Sequence, residues 1–517
     1  MGKNHNAMAA KRGGNMAGGQ DPVRLFPILI RLAMISGIGI MAGCAQSFFH
    51  SPDGLDAVVV PVEISVSPPT SYPGMPPIRP SLWQPPELNF QTLTLDNGIQ
   101  VLLHTVSKGE TTSIYMELPY EASLQPAAEE LLAQHWFIGD TEMRETEIRK
   151  QWQCLGDQQY LGTWDNRVIF SNFIKTEDLN YQLRLMARLM AKRDLQITSL
   201  ERQWRFQRVL DLAGKEIPTG LAMPFYQHIT WREDDRPSTF PVDSEQLKSQ
   251  YSKLVEDSFC LPGFRLYIES NIRVEQLRPM LESTIAQLKG DDNKCVTAGL
   301  KPQAVAEKTI YLLDKDGSQQ VDILLGVPTV QRNHKDWQAL TTLSEILGEE
   351  NIGRLFQDLR ERQGLTYGAF ASHREREGGS DFIIRMQAKP NKVAASLHGI
   401  LAHIQSLADV PVFEAEIQDA SASRQGSLMQ TLDIASGRLE LKAYTDRFGL
   451  TLDELLQSSI DRLSPVELQQ VARQYLASSW QIILVGDEDV ISDQLADYFP
   501  GYLVVTIPAE KAINNKP

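Results

Sequence analysis

The strand and helix patterns of this chain occur twice in the same order, and that repeat narrows the possible folds. The first series starts at Leu88, where apolar and polar residues alternate on both sides of Asp96-Asn97-Gly98, a turn sequence typical of a β-hairpin. Helical patterns follow the strand TTSIYMEL, and a strand and a helix end the series near Gly290. The second series starts with the strands of KTIYLLDKDGSQQVDILLGVPTV and ends with the strand WQIILVGD and a short helix. We therefore predict an α+β fold of two tandem, homologous α/β-sandwich domains, each an antiparallel sheet flanked by helices.

The predicted units follow the breaks in these patterns. They are a signal peptide (1–43), a lipidated cysteine with a proline-rich linker (44–87), an N-terminal domain (88–290), an interdomain linker (291–306), a C-terminal domain (307–505) and a tail (506–517). In the N-terminal domain the helical periodicity runs over 125–137, 142–154, 176–193 and 198–215.

The N-terminal segment has the features of a secretion signal. In RLFPILIRLAMISGIGIMAGC, basic residues precede an apolar stretch, and small residues come just before Cys44. The uninterrupted apolar run is about a dozen residues long, whereas a membrane-spanning helix needs about 20, so a signal peptide is predicted rather than an anchor helix. The end of this segment resembles a bacterial lipobox, in which the cysteine is lipidated; the alternative is an ordinary secretory signal that contains a cysteine. Ala45 and Gln46 lack the aspartate of an inner-membrane retention signal, which favours the outer membrane, with the protein facing the periplasm.

The next segment and the remaining cysteines fit that compartment. Residues 51–86 are rich in proline and lack apolar periodicity, which predicts an extended tether between a lipid anchor and the folded body. In an oxidising compartment two of Cys154, Cys260 and Cys295 could form a disulfide, and their spacing does not say which two.

The charge of the body excludes one class of partner. The chain has 50 basic and 65 acidic residues, of which five basic residues and one acidic residue lie in the first 43, so the remainder carries a net charge of −19. So acidic a body repels nucleic acid, and no basic stripe offsets the repulsion.

One predicted helix has the outline of a zinc-protease helix. In AAEELLAQHWFIG, Leu131, His135 and Trp136 recur with helical spacing on one face. Side chains four residues apart project together, so histidines at both 131 and 135 could bind one zinc ion, as in the H-x-x-E-H pattern. The glutamate of that pattern would take a proton from the zinc-bound water.

Five motifs together carry a resemblance to a known family. They are the hairpin LTLDNGIQVLLH, the segment HWFIGDT, the second-domain motif GRLFQDLRERQGLTYGAF, and LSPVELQQVARQYL followed by ILVGDED. They resemble the pitrilysin/insulinase family of zinc metallopeptidases, the inverzincins, in the two-domain form that includes mitochondrial processing peptidase. The resemblance covers about 88–501, and its second-domain motif is the strongest match.

Carried over residue by residue, the resemblance implies a degenerate zinc site. The first histidine ligand falls on Leu131, and the catalytic glutamate falls on Gln134, an amide that cannot act as a base. Only His135 matches, and the third ligand of the family, a glutamate, falls near Asp211. Because a zinc site needs three protein ligands, His135 and Asp211 would be remnants, and no cofactor is expected unless other groups rescue zinc binding. The alternative interpretation of His135 is a histidine packed in an apolar helix face.

The second-domain motif is intact. In the family, the residues that match Arg360 and Tyr367 reach from the second domain into the cleft and contact the substrate backbone, a role that suits two donors of hydrogen bonds. The sequence predicts a helix that ends at Gly364 with a left-handed cap and a strand that starts at Leu365. The alternative is that Arg360 only complements the helix C-terminus and Tyr367 is a half-buried strand residue.

This pattern of loss and retention favours a noncatalytic, peptide-binding subunit of a lipid-anchored zinc protease. Some two-domain members of the family work as pairs, in which one chain supplies zinc and its partner supplies the Arg/Tyr pair. The resemblance thus implies two partners, a peptide or unfolded polypeptide and a catalytic paralogue in a heterodimer. Two alternatives stay open: a structural or assembly protein of the same fold, and an active metalloendopeptidase with an atypical zinc site.

Overall fold

Two six-stranded sheets, one in each half of the chain, organise the fold. The structure is a computed structural model, and it describes residues 86–120, 131–156, 159–164, 167–191, 195–215, 219–231, 247–249, 251–252, 255, 261–289, 301–349, 352–376, 378–457 and 463–512. The predicted signal peptide, Cys44 and almost all of the proline-rich linker therefore lie outside the described residues, as do Cys260 and Cys295. Cys154 is exposed and is a free thiol.

The first sheet has the order β1-β2-β6-β3-β5-β4 and the second the order β12-β7-β11-β8-β10-β9. The strands of the first are β1 (Phe90–Thr94), β2 (Gln100–Thr105), β3 (Thr111–Pro119), β4 (Tyr160–Trp164), β5 (Arg167–Lys175) and β6 (Arg265–Ser270). Those of the second are β7 (Thr309–Asp314), β8 (Val321–Thr329), β9 (Ala369–Arg376), β10 (Gly379–Ala388), β11 (Gln481–Gly486) and β12 (Leu503–Pro508).

Helices flank both sheets. In the first half they are α1 (Glu145–Cys154), α2 (Leu179–Ala191), α3 (Ile197–Lys215), α4 (Thr219–Trp231) and α5 (Val274–Glu282). In the second half they are α6 (Trp337–Gly348), a π-helix (Phe356–Arg362), α7 (Val393–Asp409), α8 (Glu414–Asp433), α9 (Ala435–Phe448), α10 (Leu452–Gln457), α11 (Pro465–Tyr475) and α12 (Glu488–Tyr498). Short 3₁₀ turns cover Gln134–Phe137, Thr176–Asp178, Leu261–Gly263, Ile285–Gln287 and Pro390–Lys392. No helix in the described part of the chain is long and apolar enough to cross a membrane.

The predicted fold of two helix-flanked sheets is confirmed, with differences in strand direction and boundaries. The sheets are mixed, because β6 is parallel to β2, and β7 is parallel to both β11 and β12. A late strand of each half returns beside its first strands after helical connections, and the periodicity of a strand does not tell its direction. The last strand also runs to Pro508, three residues beyond the domain end predicted at 505, because its backbone pairs with β7 over its whole length.

Each sheet packs one face against helices of its own half. The core of the first half joins the sheet to α1, α2 and α5, with Trp136, Trp152 and Phe170 among its largest fully buried side chains. The core of the second half joins its sheet to α6, α7, α11 and α12. Two separate apolar cores therefore support the two halves.

The opposite face of each sheet is covered by a helix from the other half. From the first half, α4 packs Leu221, Phe225 and Tyr226 against apolar residues of β8, β10 and β11. From the second half, α9 packs Leu439 and Ala443 against apolar residues of β2, β3, β5 and β6. This reciprocal exchange of helices joins the two halves into one body.

Buried charges accompany the exchanged helix α9. Arg447 pairs with Glu117 of β3, and Arg438 pairs with Glu269 of β6. Glu440 lies on the same helix, and neither oxygen of its buried carboxyl has a hydrogen-bond partner among the described residues. Burial raises the pKa of Glu440 to about 8, against the opposing effect of the Arg447 charge. Folding thus favours the protonated form of Glu440.

Candidate functional site

The predicted zinc helix is part of the first core. Residues 131–133 are helical, and the chain then tightens into the 3₁₀ turn Gln134–Phe137. A 3₁₀ turn advances about 120° per residue instead of about 100°, so positions 131 and 135 diverge from the shared direction that a zinc site needs. Leu131 is fully buried among the apolar side chains of the core, and Gln134 is half-buried. The first ligand position is thus occupied by core packing.

His135 is held by a structural hydrogen bond. Its ring is buried, and Nδ1 lies 3.1 Å from the hydroxyl of Tyr251. Burial raises the pKa of the Tyr251 phenol well above its ordinary value, so Tyr251 keeps its proton and donates to the Leu131 carbonyl at 3.1 Å. The hydroxyl then accepts from His135 Nδ1–H, which fixes the ring against the backbone of its own helix. This geometry favours the interpretation of His135 as a packed histidine.

The segment after the helix also has a structural explanation. The Asp140 carboxylate accepts hydrogen bonds from the two terminal nitrogens of the Arg188 guanidinium, at 3.0 and 3.1 Å. It also accepts from the backbone N–H groups of Glu142 and Met143. Burial alone would raise the pKa of Asp140, but these hydrogen bonds lower it below its ordinary value. The conspicuous HWFIGDT sequence therefore anchors the start of α1 to α2.

No metal-binding group is present among the described residues, where no three His, Cys, Asp or Glu side chains are grouped for an ion. Asp211 lies on α3, and its side chain is outside the described residues. Of the three positions that the structure describes, only His135 has a side chain that binds zinc, because the other two are a leucine and an amide. A zinc ion requires three protein ligands, so these residues do not fit it.

The second-domain motif forms a π-helix with a left-handed cap. Its last turn is closed by the N–H of Gly364 donating to Arg360 O at 3.0 Å and the N–H of Leu365 donating to Leu359 O at 2.8 Å. Gly364 has a φ of 61°, so the left-handed cap predicted from the sequence is confirmed. π-Helices are rare and occur frequently at functional sites.

Arg360 and Tyr367 are both accessible. The Arg360 side chain is 40% exposed, and its guanidinium stacks over the Phe356 ring at 4.5 Å. The Tyr367 residue is 82% exposed, which is the largest exposed fraction among the large apolar residues in the described part of the chain. The prediction that Tyr367 lies in a strand is corrected: β9 begins at Ala369, since Thr366 turns the chain by accepting from Gly368 N–H and donating to Gln387 O.

Two buried pairs that sequence analysis missed hold the π-helix on its inner side. Arg354 forms two hydrogen bonds of 2.7 Å to the carboxylate of Glu416 at the start of α8. Asp358 accepts from His403 Nε2 of α7 at 2.7 Å. The partners are 62 and 45 residues apart in sequence, so no local pattern could identify them.

The zinc-helix remnant and the Arg/Tyr motif belong to different cores. Leu131 and Trp136 pack in the core of the first half, whereas Leu355 and Leu359 of the motif pack in that of the second half. Leu131, Gln134 and His135 thus lie on one segment of the first half, and Arg360 and Tyr367 lie on one segment of the second half.

Comparisons with known proteins identify the class to which this geometry corresponds. Residues 242–423, which include Arg360 and Tyr367, match the family described as "Peptidase M16 inactive domain". The chain is 26% identical over 192 residues to "Uncharacterized zinc protease YmxG" of Bacillus subtilis, a match that covers 36% of this chain and 45% of that protein. It is 24% identical over 204 residues to "Zinc protease PqqE" of Helicobacter pylori, covering 39% of this chain and 44% of that protein. The match thus spans less than half the length of these curated relatives.

Solved structures show the same fold. The crystal structure of a peptidase M16 inactive domain from Pseudomonas fluorescens matches with a TM-score of 0.67 and 17% identity, covering 77% of this chain and 98% of that one. A protease from Helicobacter pylori matches with a TM-score of 0.66 and 18% identity, covering 77% of this chain and 100% of that one. At these identities the solved structures show the fold alone. The family match of residues 242–423 and the curated relatives make the chain a peptidase-like protein. The resemblance to the pitrilysin/insulinase family, M16, is confirmed.

Proposed function

We propose that this protein is a noncatalytic, peptide-binding subunit that acts with a zinc-bearing partner of the same family. The observation that carries the proposal is the contrast between the two motifs. The zinc helix places a leucine in the core at the first ligand position and an amide at the position of the base. By contrast, Arg360 is accessible on the capped π-helix, and Tyr367 is accessible just after the cap. The match of residues 242–423 to an inactive domain supports the same conclusion.

The chemistry assigned to the chain is recognition rather than hydrolysis. A guanidinium and a phenol each donate hydrogen bonds to carbonyl oxygens, and they can hold a peptide backbone without selecting its side chains. The partner would supply the zinc ion and the general base. The substrate would be a peptide or an unfolded polypeptide, whose backbone carbonyls are free to accept.

The purified body of the chain is expected to hold far less than one zinc ion per molecule and to show no chelator-sensitive peptidase activity. After co-purification from the native membrane, the complex should cleave peptides, and a chelator should abolish that activity. Elemental analysis and a peptidase assay, each with and without the partner, measure the two quantities. One tightly bound zinc ion per isolated chain would overturn the proposal and favour an active enzyme. A complex without peptidase activity would favour the structural or assembly role.

We also propose that the protein is anchored in the outer membrane through a lipid on Cys44 and faces the periplasm, with residues 45–87 as a tether. Cys44→Ser is expected to abolish incorporation of labelled fatty acid and to leave an unprocessed or soluble product. Metabolic labelling and membrane fractionation measure both effects. Cys154→Ser, which changes an exposed thiol of the folded body, is the matched control and should keep the label. Labelling that persists in Cys44→Ser would contradict the lipobox.

A further inference from the structure

The buried carboxylate of Asp358 is bound from three directions. It accepts from Nε2 of His403 at 2.7 Å, from the side-chain amide of Gln363 at 2.9 Å and from the guanidinium of Arg362 at 2.6 Å. Burial alone would raise the pKa of Asp358, but the hydrogen bonds from His403 and Gln363 lower it below its ordinary value. Asp358 is therefore an ionised acceptor inside the motif.

Asp358 also closes the wide turn of the π-helix. Its backbone carbonyl accepts from the N–H of Gln363 at 3.0 Å, five residues later, while its carboxylate binds the side chain of the same residue. Gln363 immediately precedes the Gly364 cap, so these two contacts fix the end of the helix on which Arg360 is carried. The backbone from the cap then leads directly to Tyr367.

His403 contributes this contact from outside the motif. It lies on α7 and is buried, and Nδ1 of its ring has no hydrogen-bond partner among the described residues. Because Asp358 is an ionised acceptor, Nε2 of His403 carries a proton and donates it to the carboxylate, which is the one polar side-chain contact of this ring among the described residues. Because the polar side-chain contact of this buried histidine is with Asp358, we infer that the contact holds Asp358, and with it the π-helix, in place.

We propose that Asp358 and His403 are positioning residues, which hold the π-helix and its cap so that Arg360 and Tyr367 are presented together to a bound peptide. The part that concerns the peptide rests on the proposed function. The conformational part does not, because it concerns only the backbone of residues 358–367. The pair acts through Arg360 and Tyr367 and has no contact of its own with substrate.

Amide hydrogen exchange of the full chain tests the conformational part. In Asp358→Asn and in His403→Leu, exchange at Gln363, Gly364 and Leu365 is expected to accelerate about tenfold, since each change removes a hydrogen bond to a charged group. His403→Gln places an amide N–H near the position of Nε2 and should restore slow exchange. The His403 variants keep the test valid if Asp358→Asn does not fold.

Asp381→Asn is the matched control. Asp381 is also a fully buried carboxylate of the second half with three donors, from Tyr226, Trp231 and Arg376, but it lies at the end of β10 remote from Ala369. Its loss should leave exchange at 363–365 unchanged under conditions where the variants are folded. Equal acceleration in Asp381→Asn, or none in both Asp358→Asn and His403→Leu, would overturn the proposal.

The part that rests on the proposed function is tested by the peptidase kinetics of the complex reconstituted from this chain and its zinc-bearing partner. Asp358→Asn should change the same parameter, KM or kcat, as Arg360→Ala and Tyr367→Phe. Added to the Arg360→Ala/Tyr367→Phe double variant, in which both positioned donors are already lost, it should cause little further loss. Fully additive effects would mean that Asp358 acts by another route and would overturn positioning through Arg360. If Arg360→Ala has no effect, the proposed function fails, and the exchange measurement still decides the conformational part.

Discussion

Glu440→Gln is expected to stabilise the protein at alkaline pH, by on the order of 4 kcal/mol near pH 8 relative to the difference near pH 4. Glu440 is buried where α9 meets the first sheet, and burial raises its pKa to about 8 from an ordinary value of 4.5. Glutamine has a similar shape and never ionises, so it removes this pH dependence. Urea unfolding at a series of pH values measures the effect.

The direction follows from the protons bound in each state. Below pH 4.5 Glu440 is protonated in both the folded and the unfolded chain and contributes no pH dependence. Between 4.5 and about 8 only the unfolded chain loses the proton, so the free energy of unfolding falls as pH rises. Above about 8 the folded chain loses the proton as well, and Glu440 causes no further fall in the free energy of unfolding. Glu269 titrates elsewhere: burial opposes, but Arg438 and His104 lower its pKa to about 2, so its contribution is lost only as pH falls below 4.5.

Glu307→Gln provides a control for the change in net charge, because Glu307 is exposed in the segment before β7. This substitution should change the free energy of unfolding little, and the change should not vary with pH between 4.5 and 8. A difference between Glu440→Gln and the native protein that stays constant across this range would contradict the burial argument.

Arg360→Ala and Tyr367→Phe are expected to damage the activity of the reconstituted pair while leaving the fold almost unchanged. Arg360 stacks on one ring at the surface and Tyr367 is 82% exposed, so each change should cost about 1 kcal/mol of stability or less. Loss of a donor to a developing oxyanion would lower kcat about a hundredfold or more. Loss of substrate binding alone would raise KM and leave kcat nearly intact. Either kinetic result supports a peptide-binding site to which both this chain and its zinc-bearing partner contribute.

Two substitutions in exposed positions serve as controls. Arg278→Ala removes a half-exposed arginine of α5, and Tyr498→Phe removes the hydroxyl of an exposed tyrosine of α12. Both should leave the kinetics of the pair unchanged. If Arg360→Ala and Tyr367→Phe instead lower thermal stability sharply and do not affect the kinetics, the motif is structural, and the assembly role is favoured.

Local chemistry explains which parts of the fold could be predicted. The hairpin at 96–98 was evident because Gly98 adopts a φ of 81° that other residues avoid, and Gly364 marked the end of its helix for the same reason. The helical patterns of α1 and α2 were also apparent, since each of these helices buries a periodic face in the core of its own half.

Elements whose partners are distant in sequence were missed. No helix was predicted for α4, which contains Pro224 and packs on the sheet of the other half, so neither its composition nor a single apolar face marked it. The strands β4 and β5 were also missed, and β5 is buried along most of its length, which removes the alternation of a half-exposed strand.

The site was predicted in part for the same reason. Sequence placed Leu131, Gln134 and His135 on one helix and Arg360 near the end of another. It did not supply Tyr251, which holds His135, or the pair of Asp358 and His403, because each contact joins side chains far apart along the chain. The prediction that Tyr367 lies in a strand was wrong because the bond from Thr366 to Gln387 delays β9 until Ala369.

The exchange of helices between the halves also determines when each half can be completed during synthesis. The bond between Arg447 and Glu117 joins residues 330 positions apart. At about 5–20 residues per second, a ribosome needs on the order of half a minute to add that length. Strand β6, an inner strand of the first sheet, is made partway through this delay. From then until α9 is made, the outer face of that sheet, with Leu102, Tyr115 and Tyr267, has no helix to cover it. The nascent chain is thus expected to depend on a chaperone until α9 emerges, since uncovered apolar sheet surface promotes aggregation.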